Sequence, residues 1–149
     1  MTPDPARPAA PASMRPRRRA LLVLATACSA LALAGCAASG PTYSVLDREA
    51  EAADAVPGDL PAQAGDGADL DSARAVGEHE GSSLWLMRGD EPGTICLLSH
   101  RDDGAWIVVC SDEGTGLQTE GETGHFAVVP DGAPGPEGTS QVSENVYAY

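Results

Sequence analysis

Short runs of β-favouring residues separated by glycine-bearing turns constrain the fold of this chain more than any other feature. Residues 82–88, 94–100, 105–111 and 125–130 are strand-like, and a last strand is expected at 145–149. Every gap between these runs contains glycine, and the gaps between the first three have hairpin length. Neighbouring strands should therefore pair antiparallel, which predicts a mainly β fold built on a small antiparallel meander.

The predicted strands carry apolar residues at adjacent positions, and adjacent positions point to opposite faces of a sheet. Both faces of the central hairpin should therefore be covered, as in a sandwich, a small barrel, or a sheet with a helix laid across one face. A further short strand is expected at 117–120. Trp85 and Trp106 are expected to pack in the core or across strands, with an exposed binding platform as the alternative. The predicted core contains Leu84, Trp85, Leu86, Ile95, Leu97, Leu98, Trp106, Ile107, Val108, Val109, Phe126, Val128 and Val129.

The geometry of this hairpin predicts whether two of the cysteines lie close enough to form a disulfide bond. If Asp102-Asp103-Gly104 forms a three-residue loop with Gly104 left-handed, Arg101 faces Ala105 and Cys96 faces Cys110 on one face of the sheet. Directly opposed residues are close enough for a disulfide bond. We therefore predict a Cys96–Cys110 disulfide; two buried free thiols are the alternative, and the spacing does not suit zinc.

The segment before the β-rich part is rich in alanine, acidic residues and turn-formers. Residues 45–56 predict a short helix, with Ser44 as N-cap and Pro57-Gly58 as its stop. Residues 57–71 contain prolines, glycines and aspartates without apolar periodicity, which indicates a solvated acidic linker. Its aspartates lack the spacing of a calcium-binding EF-hand loop. The compact domain is accordingly expected at residues 73–149.

The first 36 residues have the pattern of an export signal. Arginines at 15 and 17–19 precede an apolar run, 20–33, that is too short to span a bilayer comfortably. The run closes on Leu33-Ala34-Gly35-Cys36. Met14 begins a conventional signal peptide of this kind, so we take it as a hypothesis for the true start, and the export route, general or twin-arginine, stays open.

Leu33-Ala34-Gly35-Cys36 matches the lipobox at every position, and the chain here resembles bacterial lipoproteins. The resemblance implies a signal peptide at 1–35, cleavage between Gly35 and Cys36, and diacylglyceryl transfer to Cys36, usually followed by acylation of the new amino group with a fatty acid such as palmitate. Two or three acyl chains anchor a protein stably. It therefore implies a lipid-anchored protein on the extracytoplasmic face of the cell membrane, with residues 36–72 as its lipidated N-terminus, tether, helix and linker. The alternative is a signal peptide cut elsewhere, with Cys36 as an ordinary thiol.

The negative charge of the chain disfavours nucleic acid as a partner. From Cys36 onward the chain has 4 basic and 21 acidic residues, a formal charge of −17. Nucleic acid would be repelled by a surface of like charge. We therefore expect no nucleic-acid binding.

Catalytic motifs are absent from the sequence. His79, His100 and His125 have no spacing that links them to a nucleophile, and no glycine-rich phosphate loop is found. Glu78-His79-Glu80 is expected to be a solvated segment entering the first strand rather than part of a metal site. We therefore predict no catalytic residue, metal site or cofactor.

The whole chain also resembles small uncharacterised lipoproteins of actinobacteria, on the lipobox, the two-cysteine domain, and the segments 81–88, 96–98 and 142–149. This resemblance implies an envelope location without a specific activity. The favoured hypothesis is a non-catalytic binding or accessory module that contacts an envelope protein or wall component. The alternatives are a small hydrolase or metal-dependent enzyme that uses His79, His100 or His125 with nearby acids, and a passive cation-buffering role.

Overall fold

The computed structural model describes residues 40–149, which belong to one compact unit, Ala38–Tyr149. The predicted signal peptide, the predicted cleavage site after Gly35 and the predicted lipidation site, Cys36, lie outside the described residues. Within 40–149, no helix combines the length and apolar character needed to cross a bilayer. The described chain is mainly β, which confirms the predicted fold class.

Two four-stranded antiparallel sheets make up the fold. The first sheet is a meander in chain order, β1 (Arg74–His79), β2 (Ser82–Arg88), β3 (Thr94–Arg101) and β4 (Trp106–Asp112). The second sheet has the order β5-β6-β8-β7 and consists of β5 (Leu117–Gly121), β6 (Gly124–Val128), β7 (Ser140–Gln141) and β8 (Val146–Ala148).

All the predicted strands are present, within about two residues at their ends. The sequence did not predict β1 and β7. In β1 the alternation of apolar and polar residues is weak, and the pairing with β2 is interrupted by a bulge between Ala75 and Gly77. The two-residue β7 lies at the exposed edge of the second sheet.

The hairpin of β3 and β4 has the predicted register. The backbone N–H of Gly104 donates to the carbonyl of Arg101, and Gly104 has the left-handed φ of 88° that the three-residue loop requires. Cys96 is the direct partner of Cys110, and the two are joined by a disulfide bond. The predicted disulfide is confirmed.

The inner faces of the two sheets bury a common apolar core, which is the sandwich arrangement among the alternatives that the sequence left open. Leucines and an isoleucine from β2 and β3 meet a phenylalanine and valines from β6 and β8. The fully buried members are Leu84, Leu86, Ile95, Leu97, Phe126, Val128 and Val146.

Part of the predicted core is only half-buried. β4 is the edge strand of the first sheet, so its side chains are less covered than those of β2 and β3. Residue 129 follows β6 rather than lying inside it. The half-buried members are Trp106, Ile107, Val108, Val109 and Val129.

The outer face of the first sheet is covered by residues 47–73, which we call the strap. Trp85, Met87 and Leu98 on this face are packed by apolar side chains of the strap, including those of Leu60 and Ala68. Trp85 is 7% exposed and therefore belongs to a core rather than to a binding platform. Both faces of the central hairpin are covered, as the sequence predicted, and the strap is what covers the second face.

The helix predicted over 45–56 is wrong. Two short 3-10 turns, Ser44–Leu46 and Ala52–Asp54, occupy this region, and the N-cap of the first is Tyr43 rather than Ser44. The segment is rich in alanine, so a regular helix would bury little apolar surface. The irregular path instead allows Asp54 and Val56 to reach the sheet.

The solvated linker predicted over 57–71 is also wrong. This segment contains 3-10 turns at Ala62–Gly65 and Leu70–Ser72, and Ala68 forms a β-bridge with Gly89. Ala64 and Ala68 are buried. The physical cause is the apolar outer face of the first sheet, which would otherwise face water. The expected boundary at residue 73 therefore falls inside the compact unit.

Candidate functional site

A cleft of about 230 Å³ opens at one end of the sandwich. The turn from β1 to β2, the end of β3, the turn from β5 to β6 and the residue after β8 form its wall. Its polar and aromatic lining residues include His79, Arg101, Thr123, His125 and Tyr149. These groups are far apart in the sequence, and the ends of the two sheets bring them together.

Two tight turns shape the cleft. Glu80 and Gly81 both have positive φ, 49° and 79°, which is the conformation of a two-residue hairpin turn with the twist of the flanking strands. The turn from β5 to β6 is held by Gly121 paired with Gly124. Gly124 has φ 124°, and a Cβ there would lie 2.6 Å from the ring of Phe126, so only glycine fits without a shift.

The rim of the cleft carries a stacked pair of rings. His125 and Tyr149 lie parallel, with ring centroids 3.8 Å apart and planes 14° apart. The backbone N–H of Tyr149 donates to the carbonyl of His125 at 3.0 Å, which holds the two residues in register. Tyr149 is 46% exposed and is the one exposed large hydrophobic residue within the described part of the chain.

Thr123 is one of two buried polar residues that line the cleft; the other is Ser82. The backbone carbonyl of Thr123 accepts hydrogen bonds from the hydroxyls of Ser82 and Ser99. Its own Oγ1 is buried and has no hydrogen-bond partner among residues 40–149. A buried hydroxyl without a partner costs free energy, and a ligand or water in the cleft can supply the missing hydrogen bond.

Arg101, at the end of β3, also lines the cleft. Its guanidinium donates to the carbonyl of Glu122 at 3.0 Å and lies 3.5 Å from the carboxylate of Asp103. These contacts hold the side chain against the turn from β5 to β6, although it stays 41% exposed. Glu80 and Glu122 also line the cleft, so the site carries charges of both signs.

Two of the three histidines share the cleft, and the third lies elsewhere. His79 lies edge-on to Phe126, with centroids 6.1 Å apart, and shares the cleft with His125. His100 lies elsewhere, with Nε2 3.9 Å from the carboxylate of Asp59. Glu78-His79-Glu80 leads into the strand at 82–88, as predicted, but Glu78 and His79 themselves end β1 and Glu80 begins the turn. Over residues 40–149, no three His, Cys, Asp or Glu side chains are placed to hold a metal ion.

The chain enters the sandwich at the end opposite the cleft. The N–H of Ser44 donates to the carboxylate of Asp131 at 2.8 Å, and the N–H of Asp131 donates to the carbonyl of Thr42 at 2.9 Å. Between them Tyr43 is buried in the core and its hydroxyl donates to the carbonyl of Glu113 at 3.3 Å. We call this contact, made by residues 42–44, the entry contact.

The entry contact and the cleft lie at opposite ends of the same strands. The N–H of Glu113 donates to the carbonyl of Gly93, next to the start of β3, and β3 ends at Arg101 in the cleft. A strand of 8 residues is about 23 Å long. β6 likewise runs from the cleft at Gly124 toward Asp131.

Electrostatics strengthen the entry contact. Burial acts to raise the pKa of the Asp131 carboxyl, but hydrogen bonds from Asn145, Ser44 and Thr42 outweigh burial and lower it. Burial, together with the nearby charges of Glu113 and Asp131, raises the pKa of the Tyr43 hydroxyl. At neutral pH, therefore, Asp131 is ionised and Tyr43 is neutral.

A second polar cluster ties the strap to the first sheet. Arg48 donates two hydrogen bonds of 2.6 Å to the buried carboxylate of Asp54, which also accepts from the backbone N–H groups of Glu51 and Ala75. The hydrogen bond from Arg48 is the main cause of the strongly lowered pKa of Asp54. Arg74 is buried beneath and donates to the carbonyl of Arg48. Every member has a partner within the cluster, so its role is structural.

Comparisons with protein-family models, curated proteins and solved structures found no match to this chain. The site is therefore characterised by its geometry alone. Sequence reasoning found His79 and His125 but missed Thr123 and Tyr149 as members of one site. The available signal was the pair of glycines, Gly121 and Gly124, that flanks the turn containing Thr123.

Proposed function

We propose that this protein is a lipid-anchored, extracytoplasmic binding module of the cell envelope. In this proposal the signal peptide is removed after Gly35, Cys36 carries the lipid, and the folded unit binds a wall component or an envelope protein without catalysing a reaction. The lipobox supports the anchor. The Cys96–Cys110 disulfide supports an oxidising compartment outside the cytoplasm.

One observation carries the proposal. The entry contact, which begins at Thr42, lies at the end of the sandwich opposite the cleft. The chain from Cys36 to Thr42 can reach at most about 20 Å. A lipid on Cys36 would therefore keep the entry end near the membrane and direct the cleft toward the wall, where a binding module would need it.

The anchor is tested by replacing the lipidated cysteine. We expect Cys36→Ser to abolish incorporation of labelled palmitate and to move the protein out of the membrane fraction. Cys28→Ser in the leader is the matched control and should leave both unchanged. Lipid incorporation that persists in Cys36→Ser would contradict the proposal.

The orientation is tested with two aspartates at opposite ends of one hairpin. Asp112 ends β4 near the entry contact, and Asp102 lies in the turn from β3 to β4 near the cleft; both are exposed. A fluorophore on Asp112→Cys should be quenched by spin-labelled lipid in vesicles more strongly than one on Asp102→Cys. Equal quenching at the two positions, or the reverse order, would contradict the orientation.

A further inference from the structure

We infer that the cleft binds one ring of a neutral glycan; this inference rests on the proposed binding function and names its ligand class. A flat aromatic face, a buried hydroxyl without a partner and fixed charges of both signs meet in one small cleft. Each of these three features restricts the ligand in a different way.

The exposed face of the Tyr149 ring is suited to contact with a sugar ring. One side of the Tyr149 ring is covered by His125, and the stack fixes the orientation of the ring while Tyr149 stays 46% exposed. The face of an aromatic ring is negative, so it attracts the weakly positive C–H groups on the flat side of a sugar ring. A pre-oriented ring also loses little conformational entropy on binding.

The charged groups of the wall disfavour an anion and offer hydrogen bonds to a neutral polar ligand. The guanidinium of Arg101 is a hydrogen-bond donor in this wall. Glu80 and Glu122 disfavour an anion, as does the charge of −17 from Cys36 onward. Donors and acceptors side by side suit hydroxyl groups, which both donate and accept hydrogen bonds.

The buried hydroxyl of Thr123 and the volume of the cleft restrict the ligand further. A sugar hydroxyl can pair with the buried Oγ1 of Thr123, which has no partner among the described residues. The volume of about 230 Å³ lies below the range of about 300 to 1,000 Å³ that is typical of sites for drug-sized ligands. The cleft therefore accommodates one ring of a longer chain, whose other rings lie outside it.

The test is calorimetric titration of the full lipid-modified protein in detergent micelles. The probes are chitotetraose, cellotetraose and maltotetraose, with inorganic phosphate, zinc chloride and an unstructured tyrosine-containing peptide for comparison. We expect at least one oligosaccharide to bind with a Kd of about 1 mM or tighter. No binding of any oligosaccharide at this level, or tighter binding of phosphate, zinc or the peptide, would overturn the inference.

Substitutions test whether the oligosaccharide binds in this cleft. Tyr149→Ala should weaken the oligosaccharide about three- to tenfold, whereas Tyr149→Phe keeps the ring and should bind like the parent. Thr123→Val should also weaken binding, because the hydroxyl is lost at similar volume. His100→Gln is the matched control outside the cleft and should have no effect. Equal affinity in Tyr149→Ala and the parent would overturn the assignment to this cleft.

The outcome also separates this inference from the proposed function. If Cys36→Ser leaves the membrane but no oligosaccharide binds, the anchored module stands and its ligand is not a glycan. If an oligosaccharide binds but lipid incorporation does not depend on Cys36, the glycan site stands and the proposed anchor is wrong.

Discussion

The carboxylate of Asp131 accepts a hydrogen bond of 2.8 Å from the backbone N–H of Ser44, a residue 87 positions earlier in the chain. The other carboxylate oxygen accepts from the side-chain amide of Asn145 at 2.9 Å. One side chain thus joins the entering chain to the second sheet. If the lipid is on Cys36, this hydrogen bond helps to fix the orientation of the sandwich relative to the membrane.

Asp131→Ala should therefore loosen the entry contact. We expect a loss of about 1 to 3 kcal/mol in the free energy of unfolding, because the buried Asn145 amide and the Ser44 N–H both lose a partner. Amide hydrogen exchange at Ser44 should accelerate as well. The exposed Asp102 makes no side-chain hydrogen bond in the described structure, so Asp102→Ala should change the free energy of unfolding by less than about 0.5 kcal/mol. Unchanged exchange at Ser44 in Asp131→Ala would count against the contact.

Stability should fall in acid because of Asp54. Its pKa in the fold is lowered by Arg48 below the unfolded value of about 3.9, so the unfolded chain takes up the proton first. The contribution is complete above the unfolded pKa and is lost progressively as pH falls below it toward the folded pKa. Urea denaturation across this window should show the decline, and Asp54→Asn should show a smaller one. An equal slope in parent and variant would exclude Asp54 as the cause.

Removal of Asp54 should also cost stability at neutral pH. The side chain is 4% exposed and accepts hydrogen bonds from Arg48 and from the N–H groups of Glu51 and Ala75. We expect Asp54→Ala to lower the free energy of unfolding by about 2 to 4 kcal/mol, since several donors lose their acceptor. Denaturation of this variant beside Asp59→Ala, an exposed aspartate of the strap, checks the value. Equal losses in the two variants would be inconsistent with a buried network.

The disulfide should contribute strongly to a sandwich of this size. Cys96 and Cys110 are 14 positions apart, and closing a loop of this length stabilises the fold by about 3 kcal/mol in the chain-entropy picture. We expect the double variant Cys96→Ala with Cys110→Ala to unfold at lower denaturant concentration by about this free energy. The parent treated with reductant should shift in the same direction, and a midpoint unaffected by either change would disprove the prediction.

The turn beside Thr123 should tolerate no side chain at Gly124. A Cβ there would lie 2.6 Å from the fully buried ring of Phe126, and the φ of 124° is strained for any other residue. We expect Gly124→Ala to destabilise the fold by about 2 to 4 kcal/mol. Gly132→Ala is the control, because Gly132 also has positive φ but open space around it. Thermal unfolding should rank the two variants in this order, and equal effects would show that packing against Phe126 is not the cause.

The sequence alone was enough to predict the features of the fold that depend on local geometry. Once Asp102-Asp103-Gly104 is recognised as a three-residue loop, the pairing of β3 with β4 follows, and with it the partnership of Cys96 and Cys110. Adjacent apolar residues such as Leu97 and Leu98 were enough to show that both faces of the hairpin are covered. Turn length and side-chain alternation are both short-range properties, which is why they can be read without the fold.

Only the tertiary structure decided what covers those faces and where a site forms. The strap has no periodicity, and its buried alanines become informative only against the outer face of the first sheet. The cleft unites His79, Thr123 and Tyr149, which no local rule connects. Burial of apolar surface depends on the shape of the whole core, so the docking of the strap and the meeting of strand ends are settled only when both sheets are in place.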